Sequence, residues 1–215
     1  MPFPNLKVFL CDILISTWDL GLTRDRYTVK ILRDRIRSRI MWRYGGSHTI
    51  KRPLQDLIDD FAERNAAGAI ANLSDYFRRL GGPSGYTRGG RRAVNRALLY
   101  TRDRLKPSES DIGALGEGIA GYYLEDVEGL SFEIRPFDVS PDFIFRDPRT
   151  MAVILAEVKT SLMQMPNVVP VAISLLDILA KTKFIRKGKY MAYIIAVKII
   201  DLNNFELRRL KLEEI

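Results

Sequence analysis

Apolar residues recur every three or four positions along most of the first half of the chain, a period typical of amphipathic helices. Glycines interrupt this pattern at Gly21, at Gly45-Gly46 and at Gly81-Gly82, where helix ends are expected. The pattern predicts helices over residues 5–18, 24–43, 54–65, 70–80 and 91–105. The first half is therefore expected to form a helical region over residues 1–105.

Lys106-Pro107-Ser108 is the best candidate for a domain boundary. Ser108 and Asp111 resemble a capping box, which predicts that a helix begins here and runs to about Leu124. After Gly129 the apolar period changes to two, the period of β-strands. Strands are predicted over residues 131–135, 142–146, 151–159, 190–200 and 205–212, with a helix over 168–187 between the third and fourth.

This α-β-β-β-α-β-β order predicts an α/β fold, a mixed sheet flanked by helices, over residues 106–215. Asp147-Pro148-Arg149 separates the second and third predicted strands and is typical of a turn. The two strands are therefore expected to form an antiparallel hairpin.

The composition narrows the class of protein. Hydrophobic residues make up 47% and charged residues 28%, ordinary values for a globular chain. A single cysteine, Cys11, excludes an internal disulfide and a zinc or iron–sulfur site built from cysteines. The longest apolar run, Tyr190 to Val197, is far shorter than the ~20 residues of a membrane helix. No signal-peptide pattern opens the chain. We expect a soluble, cytoplasmic protein with no membrane partner.

The charge is unevenly distributed. The formal net charge is +8, and residues 1–100 hold 18 Lys and Arg against 9 Asp and Glu. The remaining residues hold 16 basic and 17 acidic side chains. Such an asymmetry suggests that the first half contacts nucleic acid.

Two basic segments are candidates for this contact. In the helix over 24–43, Arg33 and Arg37 lie off the apolar stripe, where they either bind DNA phosphates or form a solvated helix face. The segment Gly85–Arg92 presents Arg88, Arg91 and Arg92 among glycines. It is either a phosphate-binding loop or a flexible linker.

Three charged residues are predicted to converge at one end of the hairpin. Strand alternation places Glu157 and Lys159 on the same face, after a run of apolar residues. Asp142 begins the partner strand, so folding the hairpin brings it next to them. Charges that end a buried strand are costly unless they are paired or functional. A surface Glu/Lys pair at an edge hairpin is the alternative.

Two carboxylates with an ammonium beside them suit a hard divalent cation. Mg²⁺ takes oxygen ligands, commonly one or two carboxylates with waters and substrate phosphates. A bound cation lowers the pKa of water and neutralises charge that develops on a phosphoryl group, while the lysine orients or deprotonates the attacking water. The set predicts hydrolysis of a phosphodiester with Mg²⁺ or Mn²⁺.

Pro141-Asp142, fourteen further residues and then Glu157-Val158-Lys159 resemble the signature of the PD-(D/E)XK nuclease superfamily. The resemblance covers residues 108–212 and includes the order of helices and strands. It implies a restriction-endonuclease-like fold. Within the superfamily, the compact layout and the run Glu157–Ser161 look most like archaeal Holliday-junction resolvases and related archaeal viral nucleases.

The resemblance also implies roles for individual residues. Asp142 and Glu157 would bind the metal with the carbonyl of Val158, and Lys159 would position the water. Many members carry an acidic residue on the first helix, and Glu117 is the candidate here, as a metal ligand or water-orienting group or as a plain surface residue. Gly116 and Gly118 would permit close approach of backbone or substrate.

Further DNA contacts are expected beyond the motif. Ser161 either contacts phosphate or ends the strand, and Lys181 and Lys183 either line the DNA path or stabilise the C-terminus of their helix. The leading interpretation is a metal-dependent endodeoxyribonuclease. The alternatives are a junction resolvase acting as a homodimer and a DNA-binding protein without catalysis.

Overall fold

The computed structural model of the protein describes residues 3–62, 68–79, 107–136, 140–185 and 189–214. Within these ranges the strands form one seven-stranded mixed sheet in the order β2-β1-β7-β6-β5-β4-β3. The strands are β1 (Asn5–Ile15), β2 (Arg43–Thr49), β3 (Ser131–Ile134), β4 (Phe143–Arg146), β5 (Val153–Leu162), β6 (Tyr190–Asp201) and β7 (Asn204–Glu214).

Helices cover both faces of the sheet. They are α1 (Thr17–Gly21), α2 (Arg26–Arg39), α3 (Leu54–Phe61), α4 (Ala69–Arg79), α5 (Glu109–Tyr122) and α6 (Val169–Ile185). The side chain of Ser108 accepts a hydrogen bond from the backbone N–H of Asp111, which confirms the predicted start of α5. None of the helices within the described residues is long and apolar enough to cross a membrane.

The helix predicted over residues 5–18 is wrong, because residues 5–15 form strand β1. This strand pairs parallel with β7 from Asn5 to Ile15 and antiparallel with β2. Leu6 and Val8 are buried on one face of the sheet and Ile13 on the other. A strand that is buried on both faces reads as an apolar run, which periodicity does not distinguish from a buried helix.

The predicted basic helix is real but shorter than expected. It spans Arg26–Arg39, and the chain then enters β2 instead of continuing to residue 43. Gly45 belongs to this strand: a Cβ at this position would lie 2.8 Å from Cγ of Leu10 on the neighbouring strand. Gly45 therefore permits close pairing with β1, and the first half is not a purely helical region.

The second half agrees with the predicted element order. Strands β4 and β5 form the antiparallel hairpin, and α6 connects β5 to β6, which run parallel. The boundary predicted at residues 105–106, the helix over 91–105 and the loop over 85–92 lie outside the described residues. Because β1 pairs with β7, both parts of the chain contribute to one sheet.

Two hydrophobic cores sandwich the sheet. On the α3–α5 face, α3, α4 and α5 cover sheet residues such as Leu6, Phe143 and Tyr193. On the α2–α6 face, α1, α2 and α6 cover a second set that includes Leu155 and Ile194. Each fully buried side chain of this kind contributes about 1.5–3 kcal/mol relative to its exposed state.

Candidate active site

The hairpin of β4 and β5 brings Asp142 and Glu157 together, as the sequence predicts. Phe143 pairs with Ala156, so Asp142 lies one residue before this pair and Glu157 one residue after it. Leu155 belongs to the core on the α2–α6 face. Strand alternation therefore places Glu157 and Lys159 on that same face.

Short hydrogen bonds hold both carboxylates in place. The backbone N–H of Val158 donates to Oδ2 of Asp142 at 2.6 Å. The hydroxyl of Ser140 donates to Oε2 of Glu157 at 2.7 Å, and Nζ of Lys159 lies 2.7 Å from Oε1 of the same residue. The Glu157 side chain is only 8% exposed, and burying a charge is costly. The hydrogen bonds from Ser140 and Lys159, one to each carboxylate oxygen, offset that cost.

Burial and repulsion raise the pKa of Asp142 to about 6. Loss of solvent is the largest cause, and the negative charges of Glu157 and Glu117 act in the same direction. The Val158 N–H and the Lys159 ammonium lower the pKa but do not compensate. With a pKa of about 6, Asp142 is mostly a carboxylate at pH 7, so two neighbouring carboxyl groups face the single ammonium of Lys159.

The pKa of Lys159 is also raised. Burial by itself lowers it, but the hydrogen bond to Glu157 and the charges of Glu157, Asp142 and Glu117 outweigh burial. The amine is therefore an ammonium at neutral pH, which favours orienting a water or supporting negative charge over accepting a proton. Its side chain is 46% exposed, so the cation reaches solvent while the carboxylate beneath it does not.

Glu117 lies on α5, which packs on the α3–α5 face of the sheet, and its charge acts on both Asp142 and Lys159. Its neighbour Gly116 lies directly on Thr160 of β5, where a Cβ would come within 1.6 Å of the threonine hydroxyl. Gly118 similarly abuts the backbone of α3 at Leu57, with 3.0 Å from an added Cβ. The two glycines thus let α5 pack closely against β5 and α3, so the protein's own backbone and side chains occupy the space beside them. The Gly116–Thr160 contact places Glu117 beside the strand that carries Lys159.

Sequence reasoning missed Arg135 and Ser140. Nη2 of Arg135 donates to Oε2 of Glu117 at 2.8 Å, and its guanidinium lies over the ring of Phe143 at 4.8 Å. Glu117 thus pairs with an arginine, and both side chains are about one-fifth exposed. The residue type and position of Arg135 carry no local signal, because the pair joins α5 to the segment after β3.

The remaining predicted site residues differ in exposure and in their contacts, and some lie outside the described residues. The structure shows the N–H of Val158 as a donor to Asp142, and the role of its carbonyl stays a prediction. Ser161 is half-buried, with a long 3.5 Å contact from its hydroxyl to the Leu162 carbonyl. Lys181 is exposed and forms an ion pair with Asp177 at 2.6 Å. Outside the described residues lie Arg88, Arg91, Arg92 and the side chain of Lys183.

Arg33 and Arg37 are both exposed on α2. Helix α2 packs on the same face of the sheet as Glu157 and Lys159, because Leu32 and Ile36 share a core with Leu155. These two arginines are therefore accessible on the side of the sheet that holds the carboxylates.

The described part of the chain contains no cluster of three or more His, Cys, Asp or Glu side chains arranged to hold a metal ion. Comparisons with protein-family models, with curated proteins and with solved structures find no significant match to the chain. Any functional conclusion therefore depends on the chemistry of the site itself.

Proposed function

We propose that the protein is a divalent-metal-dependent endodeoxyribonuclease with a restriction-endonuclease-like core. The observation that carries the proposal is the convergence of Asp142, Glu157 and Lys159 at one end of the β4–β5 hairpin. Two neighbouring carboxylates are suited to a divalent cation. The adjacent ammonium is suited to a phosphate.

The residues present fit Mg²⁺ or Mn²⁺. Such ions are commonly held by one or two carboxylates, with waters and substrate oxygens completing the shell. Oδ1 of Asp142 accepts no hydrogen bond from the described residues, which leaves it available as a ligand. The raised pKa of Asp142 has burial and the charge of Glu157 as its main causes, and a cation held by Asp142 and Glu157 would offset the repulsion between them.

When bound, the metal would lower the pKa of the attacking water and neutralise charge on the phosphoryl oxygens. Asp142 and Glu157 would hold it, with Val158 and Ser140 orienting their oxygens. Lys159 would orient the water and support the negative charge that develops as the phosphorus–oxygen bond breaks. Arg135 would fix the orientation of Glu117, which would in turn orient a water or complete a second metal site.

The resemblance to the PD-(D/E)XK superfamily supports this proposal. The order α5-β3-β4-β5-α6-β6-β7 is the one that the resemblance implies. A homodimeric junction resolvase is a narrower version of the same proposal, since paired cuts require two sites related by symmetry.

The test is a cleavage panel of linear duplex, four-way junction, flap and single-stranded DNA with Mg²⁺, Mn²⁺ or EDTA. Wild type and Asp142→Asn, purified identically, separate cleavage by the protein from cleavage by a contaminant. We expect cleavage by wild type with either metal and none by the variant or in EDTA. DNA binding without metal-dependent turnover would instead identify a non-catalytic DNA-binding protein. Paired cuts restricted to the junction would identify a resolvase.

A further inference from the structure

The basic residues of α2 fall into two sets with different partners. Nε of Arg35 lies 2.9 Å from Oδ1 of Asp19, and Nη1 of Arg39 lies 3.5 Å from Oδ2 of the same carboxylate. Asp19 is almost completely buried at 1% exposure. Arg35 also lies over the ring of Trp18, 4.6 Å from its centroid. Arg35 and Arg39 therefore connect α2 to α1 through ion pairs and a cation–π contact.

The second set is exposed and forms what we name the basic stripe: Arg26, Lys30, Arg33 and Arg37. Spacings of four, three and four residues align these side chains along one line of the helix, over about 16 Å. Within the ranges that the structure describes, none of the four forms an ion pair. The acidic Asp34 lies beside the stripe and is likewise unpaired with its members in that part of the chain.

A line of like charges at this spacing costs helix stability, since cations three and four residues apart repel each other. Asp34, four residues after Lys30 and three before Arg37, offsets part of this repulsion, but within the described residues it forms no ion pair with the stripe. An exposed line of cations with a net positive charge favours a polyanionic partner, whose binding releases condensed counterions.

The basic stripe and the carboxylate site face the same side of the sheet. Leu32 and Ile36 of α2 share a hydrophobic core with Leu155 of β5, and Glu157 and Lys159 continue the face of Leu155. Helix α6 packs on this face against α2, β5 and β6, so a partner that contacts both the stripe and the carboxylates has to be long enough to extend past α6. Lys181 on α6 contributes little net charge to the same face, because Asp177 pairs with it.

The geometry fits a duplex better than a single strand. Duplex DNA is a stiff, densely charged polyanion, so its phosphate backbone can follow a straight line of cations on a rigid helix. Single-strand sites interleave cations with aromatic side chains on which bases stack. The stripe itself contains no aromatic residue, and a single exposed tyrosine, Tyr27, adjoins it three residues before Lys30.

We propose that the basic stripe binds the phosphate backbone of duplex DNA without reading its sequence and places the duplex across the carboxylate site. This inference rests on the proposed nuclease function and names its substrate as duplex DNA.

The test compares wild type with a stripe variant in which Arg26, Lys30, Arg33 and Arg37 are replaced by Gln. A matched control replaces four exposed cations outside α2 by Gln, with the same loss of charge: Lys51, Arg78, Arg149 and Lys189. Binding of two unrelated duplexes and one single strand is measured in EDTA from 50 to 200 mM salt. Thermal unfolding verifies that all three proteins fold, and cleavage is measured separately with Mn²⁺.

We expect the stripe variant to bind both duplexes roughly tenfold or more weakly, with a salt slope lower by about 3–4, while the control stays near wild type. Equal loss in the control, or an unchanged salt slope in the stripe variant, would overturn the proposal. A loss confined to the single strand, or a strong preference between the duplexes, would do so as well. Wild type that binds duplex through the stripe but never cleaves it would refute the nuclease function and leave the stripe's role standing.

Discussion

Nζ of Lys159 lies 2.7 Å from Oε1 of Glu157, two residues away on the same face of β5. The ammonium is half-exposed, whereas the carboxylate is buried. The pair therefore places a half-exposed ammonium directly over a buried carboxylate at the edge of the site.

Replacing Lys159 tests both consequences of this contact. We expect Lys159→Met to lower the cleavage rate at least a hundredfold, because the water or phosphate loses its cation. The metal-free protein should also lose about 1–3 kcal/mol of unfolding free energy, since Glu157 keeps a buried charge with one partner fewer. Lys198→Met on the adjacent strand β6 is the control, and its cleavage rate should match wild type. Wild-type cleavage by Lys159→Met would exclude a role for the lysine in the reaction.

Replacing Asp142 should remove a pH dependence of the unfolding free energy. Its pKa of about 6 lies above the ordinary value of about 3.9, so the folded state binds this proton more tightly than the unfolded state. The resulting stability is complete below pH ~4 and is lost as the pH rises through about 6. Asp142→Asn keeps an acceptor for the Val158 N–H, so it should be about 1–3 kcal/mol more stable than wild type at pH 7 without metal.

The effect of Mn²⁺ on the melting temperature tests whether Asp142 is a metal ligand. Mn²⁺ should raise the melting temperature of wild type and leave that of Asp142→Asn unchanged, because binding to the folded state alone stabilises it. Asp177→Asn, which removes only an exposed ion pair, should respond to Mn²⁺ as wild type does. An equal Mn²⁺ response in Asp142→Asn would remove Asp142 from the ligand set.

Glu117 and Arg135 should behave as one unit. Their 2.8 Å pair is about four-fifths buried, so removing either partner leaves a poorly solvated charge. We expect Glu117→Gln and Arg135→Gln each to reduce stability, and the double variant to lose about 1 kcal/mol less than the sum. Chemical denaturation of the four proteins in the double-mutant cycle measures this coupling. Additive losses would show that the two side chains act independently.

Gly116 and Gly113 provide a matched pair of substitutions on α5. Gly116→Ala would place a Cβ against Thr160 and push α5 away from β5, which should cost at least about 2 kcal/mol and displace Glu117. An added Cβ at Gly113 meets nothing within 4 Å, so Gly113→Ala should stabilise the helix by about 0.5–1 kcal/mol. Thermal unfolding of both variants checks the prediction. Equal effects would mean that α5 does not depend on its contact with β5.

Local signals were sufficient for the hairpin and its charged end. The turn at Asp147-Pro148-Arg149 and the alternation on both sides of it specify which residues pair, because side chains in a strand repeat every two residues. The convergence of Asp142, Glu157 and Lys159 follows from that register alone, and the structure contains it. The helices α2 to α6 also lie near their predicted positions, since each carries its own apolar stripe.

Tertiary contacts decided the conformation of residues 5–15 and the partners of the charged side chains. Strand β1 is indistinguishable from a buried helix until β7 supplies hydrogen bonds along its full length, and these come from the opposite end of the chain. Arg35 and Arg39 differ from the arginines of the basic stripe because Asp19 lies within ion-pair distance of them. Glu117 is paired because α5 lies against Arg135. Periodicity reports which side of an element is apolar. It carries no information about which distant charge will lie opposite, and that is set by the packing of the helices on the sheet.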